Sequence, residues 1–592
     1  MDGPMLSKRS VILNDVYQVT MAYAYFVQGM HEQESVFEYY FRTAPFGSSY
    51  CILQGVHDLV SFLSSSFWFT QTELDEVKAL LTFTKADSEL VDQFIAYLAN
   101  ADASTMDIVS FADGSVVFPN EPIVQVKGPL ALVQLLETPL LNTLNFPTLL
   151  CTKANRLVRI AGEHCSIVEF GLRRAQGAEA GLLAAKYAYA GGANGSSNLL
   201  ACEKFGIPYA GTHAHSFVQA FRGIEDLGNL DEPLVGKWAV SATKADFVRL
   251  VESLLELINA KSSNRGELAA FISFAFAFPG RFVALVDTYN TLRSGVPNYI
   301  AVACALLKEG FKPVGIRIDS GDLGVLSRAA RRQINTAASI TGLFKLGESR
   351  IFASNDLDER AIAALGPYLP SSAVKKSDTT GHCITDFGVG TKLVTCYDQP
   401  ALGGVFKLCS LDGRPCFKIS EETAKSSMPF SKQVHRVIEN GEVVADIITL
   451  RDSPLEYVEG MDGYILAVSR SDFSKKFAIH AEEVQEQLNP VWHLGKPTGS
   501  VVDSAGNLLS EKEAVLRSRA LLPIVTEEKS ANANGLGKSQ SSSPPSGASP
   551  TGAQSGKQSA SRKDGTHVFL APDLMHITRE LHDIASVPCI ID

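Results

Sequence analysis

The chain has 592 residues, of which 45% are hydrophobic and 20% charged, and its formal net charge is −11. That length exceeds one ordinary core, so two or more domains are expected, and the acidic balance excludes an overall basic face for nucleic acid or an anionic membrane. A small anionic substrate stays open, because it needs only a few well-placed Arg and Lys.

The first residues are too polar for a secretory signal, and no apolar run reaches the ~18 residues of a membrane span. Ten cysteines stand singly, with no zinc-type spacing, which leads us to expect reduced thiols and a cytoplasmic protein. Asn14 is expected to cap a helix starting at Asp15, with Val16, Val19, Tyr23 and Phe26 facing inward and Tyr17 off that stripe. Residues 35–42 alternate as a strand, 70–100 read as helical, and 106–111, 115–118 and 122–127 read as short strands. Residues 130–150 form a long apolar, helical crossing. Residues 1–148 are therefore taken as a mixed α+β domain.

From about residue 149 to 395 strands alternate with helices, which implies a parallel sheet and, at this size, an irregular (α/β) barrel. The candidate strands are 166–170, 207–211, 282–286, 314–318, 350–353 and 383–387. The clearest helix is 297–309, with Pro297 in its first turn and Gly310 just past its end. The stretch Pro313 to Asp322 begins as a core strand and ends in Arg317, Asp319 and Asp322. Arg317 and Asp319 leave an extended chain on the same face. Such a pair suits either a reaction site or a structural ion pair. Nearly every candidate strand ends in polar or glycine residues: Glu169, Thr212 and His215, Asp287, Arg317 and Asp319, Ser354 and Asn355, Gly388 and Gly390. Catalytic groups of barrels collect at those ends, whereas packing alone predicts no one-sided accumulation.

Past residue 396 the β-rich texture returns (405–408, 415–419, 443–448), with turns at Asp412-Gly413 and Asn440-Gly441. This part, to residue 526, is expected to pack on the N-terminal domain. Residues 527–566 are poor in apolar anchors and read as a disordered insertion. Leu574, Ile577, Leu581 and Ile584 give residues 567–592 a helical stripe for docking.

Among the motifs, His213 and His215 follow a strand; their i, i+2 spacing is weak for a metal and better suited to a nucleophilic or orienting imidazole. Phe387-Gly-Val-Gly-Thr-Lys392 is a glycine-containing strand exit that suits a phosphate, although many such turns are only tight bends. Gly535-Leu-Gly-Lys-Ser539 echoes a Walker loop by chance, its leading glycine misplaced. Arg173, Arg174, Lys407 and Lys418 are candidate anion contacts or plain surface.

Together, Asn14-Asp-Val-Tyr-Gln18, Glu169-Phe-Gly-Leu-Arg-Arg-Ala-Gln-Gly177, Gly211-Thr-His-Ala-His-Ser-Phe217, Arg317-Ile-Asp-Ser-Gly-Asp322, Ser354-Asn355 and Gly388-Val-Gly-Thr391 resemble the nicotinate phosphoribosyltransferase family. The likeness runs in order from about residue 10 to 525, and the 527–566 insertion has no counterpart in it. The resemblance implies a type II phosphoribosyltransferase fold, a barrel plus a domain built from both chain ends, working as a homodimer with shared sites. It implies transfer of phosphoribosyl from 5-phosphoribosyl 1-diphosphate to nicotinate, the first step of NAD synthesis from that base. It further implies ATP as co-substrate, Mg²⁺ (or Mn²⁺) as cofactor and a phosphohistidine as intermediate.

By the same pattern Phe170 and a second subunit's Tyr17 sandwich the pyridine ring, Arg317 grips its carboxylate and Thr212 adds a hydrogen bond. Ser354, Asn355, Gly388, Gly390 and Thr391 hold the 5-phosphate, and Arg42, Arg173 and Lys407 reach the ribosyl donor. His215 matches the phosphorylated position, with Asp287 and Asp319 fixing its ring and Asp319 also assigned to the metal. His213 departs from the usual apolar residue and receives no role. Two alternatives are a nicotinamide-using relative and an inactive barrel that only binds.

Overall fold

The structure, a computed structural model, describes residues 10–522 apart from 237, 376, 419–426 and 470–473, together with 567–570. These fall into two units, one of 10–152 with 399–522 and 567–570, the other Lys153–Asp398. The insertion at 527–566 and the stripe at 574–584 lie outside the described residues.

In the first unit a seven-stranded antiparallel sheet interleaves strands from both parts of the chain. Glu34–Phe41 sits between Gly404–Leu411 and Val124–Pro129, and Asp107–Ser110 pairs with Asn489–His493. A second sheet places His567–Leu570 between Glu442–Leu450 and Tyr464–Ser469. The expected helical region resolves into Gln71–Phe83, opened by a Thr70/Glu73 capping box, and Ser88–Leu98, capped by Asp87. Both pack with the first helix through Val19, Leu74, Val77 and Phe94.

That first helix corrects the expectation for Asn14. It runs Val16–Val27 behind Asp15, and the Asn14 side chain instead donates to the Leu135 carbonyl at 2.5 Å. The Leu135 acceptor, near the end of the helix Leu130–Leu135, competes for the amide. Val16 is left exposed, so the inward stripe begins at Val19.

The second unit is built on six parallel strands. In spatial order they are Gly195–Ser196, Ser166–Glu169, Asp386–Val389, Arg350–Ser354, Gly315–Ile318 and Val283–Leu285. Ile318, Ala353, Phe387 and Ile167 lie in one row, so the residues that follow these strands leave the sheet at a common end.

Two sequence expectations shift here. The last strand is Asp386–Val389 rather than 383–387; the chain before it bends where the Ile384 N–H donates to the His382 ring. Residues 207–211 make only a bridge, Ser196 to Tyr209, and the two-residue strand Gly195–Ser196, absent from the sequence reading, takes the edge. The segment still spans the opening in the sheet. On one side Ser196 N–H donates to Pro208 O at 3.1 Å; on the other, His213 Nε2 accepts from Leu285 N–H at 3.3 Å. A side chain thus stands where a strand carbonyl would be, which makes the closure irregular.

The helix Val296–Lys308 follows a π-turn at Thr291–Gly295. A Cβ at Gly295 would lie 1.9 Å from the Val286 carbonyl oxygen, so only glycine lets this turn press against the exit of the Val283–Leu285 strand. Among the described residues no helix is long and apolar enough to cross a membrane.

Candidate active site

The common end of the parallel strands opens into a cleft of about 150 Å³. Phe170, Arg173, Arg317, Asp319, Ser354, Asn355, Gly388, Gly390 and Thr391 all line it, so nine sequence-predicted residues meet there. Arg317 organises the floor. Its Nε donates to Ser354 Oγ at 2.9 Å, Nη1 to Thr212 Oγ1 at 3.3 Å and Nη2 to Asp319 Oδ1 at 3.0 Å. A guanidinium has five N–H donors. Three are engaged among the described residues, which leaves one on each terminal nitrogen for a bidentate acceptor. The Arg317 Cζ stands 5.4 Å from the Phe170 ring centre, a cation–π contact.

Phe170 is fixed by its surroundings. Its N–H donates to the Val389 carbonyl at 2.9 Å, and its ring lies so close to Gly388 that a Cβ there would fall 2.4 Å from Cδ2. Glycine at 388 therefore makes room for the ring. Behind it Glu169 is buried, accepting from Ser196 Oγ at 2.5 Å and from the Gly171 N–H; burial pushes its carboxyl above the usual range. Arg173 is exposed and donates to the Phe170 carbonyl at 3.2 Å.

At the exit of Arg350–Ser354 the backbone is strained: Asn355 has φ 143° and Asp356 φ 42°, a region favourable to glycine. Ser354 Oγ both accepts from Arg317 and donates to Asp319.

His215 opens the helix His215–Gln219. Its Nε2 is 3.8 Å from Asp319 Oδ2, and its Nδ1 is 3.0 Å from Thr288 Oγ1. Asp287, also expected to fix the ring, has one carboxylate oxygen engaged elsewhere. Asp287 Oδ2 accepts from the Asp319 N–H at 2.9 Å and from Ser320 Oγ at 2.5 Å, which spends that oxygen on the neighbouring strand exit. His213 is buried among Phe217, Phe271 and Phe274, and burial holds its pKa down to about 4, so it is a neutral packing group.

Among the described residues Asp287 Oδ1 is buried without a hydrogen-bond partner beside Asp319. Hard carboxylate oxygens of this kind fit Mg²⁺, which takes one or two carboxylates and completes its shell with phosphates and water. Among the described residues the one group of three candidate ligands within 4.8 Å is His57, Asp58 and Glu511, in the first unit.

Three predicted residues belong to that first unit. Tyr17 is half exposed and lines a cavity of about 350 Å³ with Asp15, Asn142, Asn145 and Phe146. Lys407 is half-buried opposite Glu38 on the paired strand, and Arg42 lies just past the end of the same Glu34–Phe41 strand, its Nε buried and without a partner among the described residues.

Arg174, named above as a candidate anion contact, lines the cleft too; residues given no role from the sequence are Asp356, Leu357 and Lys392, which also line it, and Thr288 and Ser320. Lys392 completes the Gly-Val-Gly-Thr run and pairs with Asp358 at 2.8 Å. Thr288 and Ser320 directly follow predicted aspartates, the one signal that marks them.

Known proteins resemble this chain over most of its length. The model of the nicotinate phosphoribosyltransferase N-terminal domain matches residues 12–145. Nicotinate phosphoribosyltransferase 1 of Arabidopsis thaliana is 39% identical over 500 residues, covering 83% of this chain and 85% of that protein. The human nicotinate phosphoribosyltransferase is 35% identical over 534 residues, 88% and 95% of the two chains. The crystal structure of human nicotinic acid phosphoribosyltransferase superposes with a TM-score of 0.73 at 30% identity, covering 96% of this chain and all of that one. A nicotinate-nucleotide pyrophosphorylase from Pyrococcus furiosus, 18% identical with a TM-score of 0.52, shares the fold. With relatives this similar along most of their length and this set of side chains at one end of a parallel sheet, the chain belongs to the nicotinate phosphoribosyltransferase family.

Proposed function

We propose that the cleft joins nicotinate to 5-phosphoribosyl 1-diphosphate, giving nicotinate mononucleotide and diphosphate, with ATP hydrolysis coupled through transient phosphorylation of His215. The observation that carries this reading is Arg317, held over the Phe170 ring with one N–H free on each terminal nitrogen. A flat pyridine ring stacked on Phe170 would meet that fork with its carboxylate, which a guanidinium binds bidentately.

Breaking the bond from C1 to diphosphate develops positive charge on the ribose, so catalysis is chiefly electrostatic placement. Ser354, Asn355, Gly388, Gly390 and Thr391 line the side of the cleft assigned to the 5-phosphate. Arg173, Arg42 and Lys407 are assigned to the ribosyl donor. Asp287 and Asp319 would hold Mg²⁺, which when bound neutralises charge on the leaving diphosphate. Asp319 also faces His215 Nε2 and can stabilise positive charge on the ring.

The half-exposed Tyr17 supports a homodimer in which a second copy covers the base from its other face. Free cysteines throughout the described residues accord with a cytosolic enzyme. Incubation with labelled ATP should place phosphate on His215, and His215→Ala should remove both the label and the stimulation by ATP. An alanine variant that keeps full ATP stimulation would refute the phosphohistidine.

A further inference from the structure

We propose that His57, Asp58 and Glu511 form a binding site for a divalent transition-metal ion of the Zn²⁺ class. Each residue offers one ligand atom, and these atoms lie within 4.8 Å of one another. All three belong to the first unit, whereas Asp287 and Asp319 belong to the second.

Two helix starts build the site. His57 and Asp58 lie in the first turn of Val56–Ser65, and Glu511 opens Glu511–Ala520. Acidic groups collect in first turns because they cap the helix or face its positive end. Here other carboxylates fill the capping role. Asp113 accepts from the Val56 and His57 N–H groups at 3.0 and 2.9 Å. In the second helix Glu513 closes the capping box with Ser510. The surroundings are packed tightly. A Cβ at Gly114, next to Asp113, would fall 2.2 Å from the Ser518 carbonyl oxygen, and the Gln54 amide donates to the Ser518 hydroxyl.

His57 is the oriented member. It is buried, and its Nε2 donates to the Leu509 carbonyl at 2.7 Å, across 452 residues of sequence. A carbonyl only accepts, so Nδ1 is the nitrogen turned to the carboxylates. A carbonyl behind one ring nitrogen is the arrangement that aims a ligating imidazole. Nδ1 stands 3.5 Å from Asp58 Oδ1, long for a hydrogen bond. Two ligands at about 2.0–2.2 Å from one tetrahedral ion are about 3.4 Å apart, close to that spacing. Glu511 is half-buried and reaches the ion by turning about its side-chain bonds. An imidazole with two carboxylates suits Zn²⁺ better than Mg²⁺ or Ca²⁺, which take oxygen ligands. With water as fourth ligand, the ion clamps a helix from the N-terminal part of the chain to one from the C-terminal part.

Zn²⁺ binding to the chelator-treated full-length protein tests the site. Equilibrium dialysis should show one more tightly held ion in the wild type than in Glu511→Gln or Asp58→Asn, whose affinity at this site falls about 100-fold or more. Zn²⁺ at about 100 times its Kd should raise the wild-type melting temperature by about 5 °C more than that of either variant. Co²⁺ in the wild type should give the intense visible bands of a four-coordinate ion. Weak six-coordinate bands alone would overturn the tetrahedral set, and this readout holds even if neither variant folds. A wild type that takes up no Zn²⁺, as expected were His57 a cation paired with the two carboxylates, would overturn the site. Variants that bind and shift as the wild type does would overturn it too.

Discussion

Arg317 gives the sharpest prediction, because the same side chain has a structural and a substrate-facing half. Replacing it with Ala removes the bonds to Thr212, Ser354 and Asp319 and the two N–H groups left for a carboxylate. The structural half is modest. Arg317 and Asp319 are 15% and 31% exposed, and a pair in that setting contributes about 1 kcal/mol or less after screening. The substrate-facing half is larger. Two charge-assisted hydrogen bonds to nicotinate contribute about 3 kcal/mol together, equivalent to about 150-fold in affinity. Initial rates with each substrate varied in turn should show the KM for nicotinate raised about 100-fold and that for the ribosyl donor changed by about threefold or less. Arg317→Lys keeps the charge without the fork and should fall between, at about tenfold. Preference for nicotinate over nicotinamide should shrink in step. Equal rises in both KM values would refute carboxylate recognition by this residue.

Two further perturbations test the supporting structure. Gly388→Ala drives a Cβ into the Phe170 ring, which has the backbone of its own turn behind it; overpacking of this kind costs about 1–3 kcal/mol. We expect at least about a tenfold loss in kcat/KM for nicotinate, measured with a melting curve, and unchanged kinetics would mean that Phe170 does not set the base site. Glu267 tests the network behind the Asp287 loop. Burial pushes its carboxyl up to about 7, opposed by donation from Ser294 and Asn298 and reinforced by Asp287. The folded pKa lies above the unfolded one, so the native state holds the proton more tightly between about pH 4.5 and 7. Stability from this group is therefore present below that window and lost as pH rises through it, by about 3 kcal/mol at most. Urea midpoints at pH 5 and 8 should show that slope in the wild type and not in Glu267→Gln. The opposite slope expected of buried His213 is common to both proteins and cancels in the difference. Identical slopes would place the Glu267 carboxyl elsewhere on the pH scale.

What could be read from the sequence follows the strength of the local signal. Apolar runs with a polar exit, such as Gly315–Ile318 and Arg350–Ser354, were located within a residue, because a strand buried on both faces writes itself as a continuous hydrophobic run. Their exits carried the site residues with them. Residues 207–211 look similar, yet their pairing is reduced to a bridge because Ser196 offers only a two-residue edge and His213 occupies the other side. Asn14 illustrates a second limit: local spacing marked it as a cap, and a carbonyl 121 residues away took its amide instead. Thr288 shows a third. Nothing in its neighbourhood says which histidine it will meet, since that depends on the packing of helix His215–Gln219 against the loop after Val283–Leu285.

The assignment of the cleft is tested most directly by offering the purified full-length protein equimolar nicotinate and nicotinamide with 5-phosphoribosyl 1-diphosphate, ATP and Mg²⁺, and identifying the nucleotide by mass. The account predicts nicotinate mononucleotide as the dominant product, with one diphosphate released per nucleotide. Nicotinamide mononucleotide as the main product, or diphosphate release with neither nucleotide formed, would contradict it.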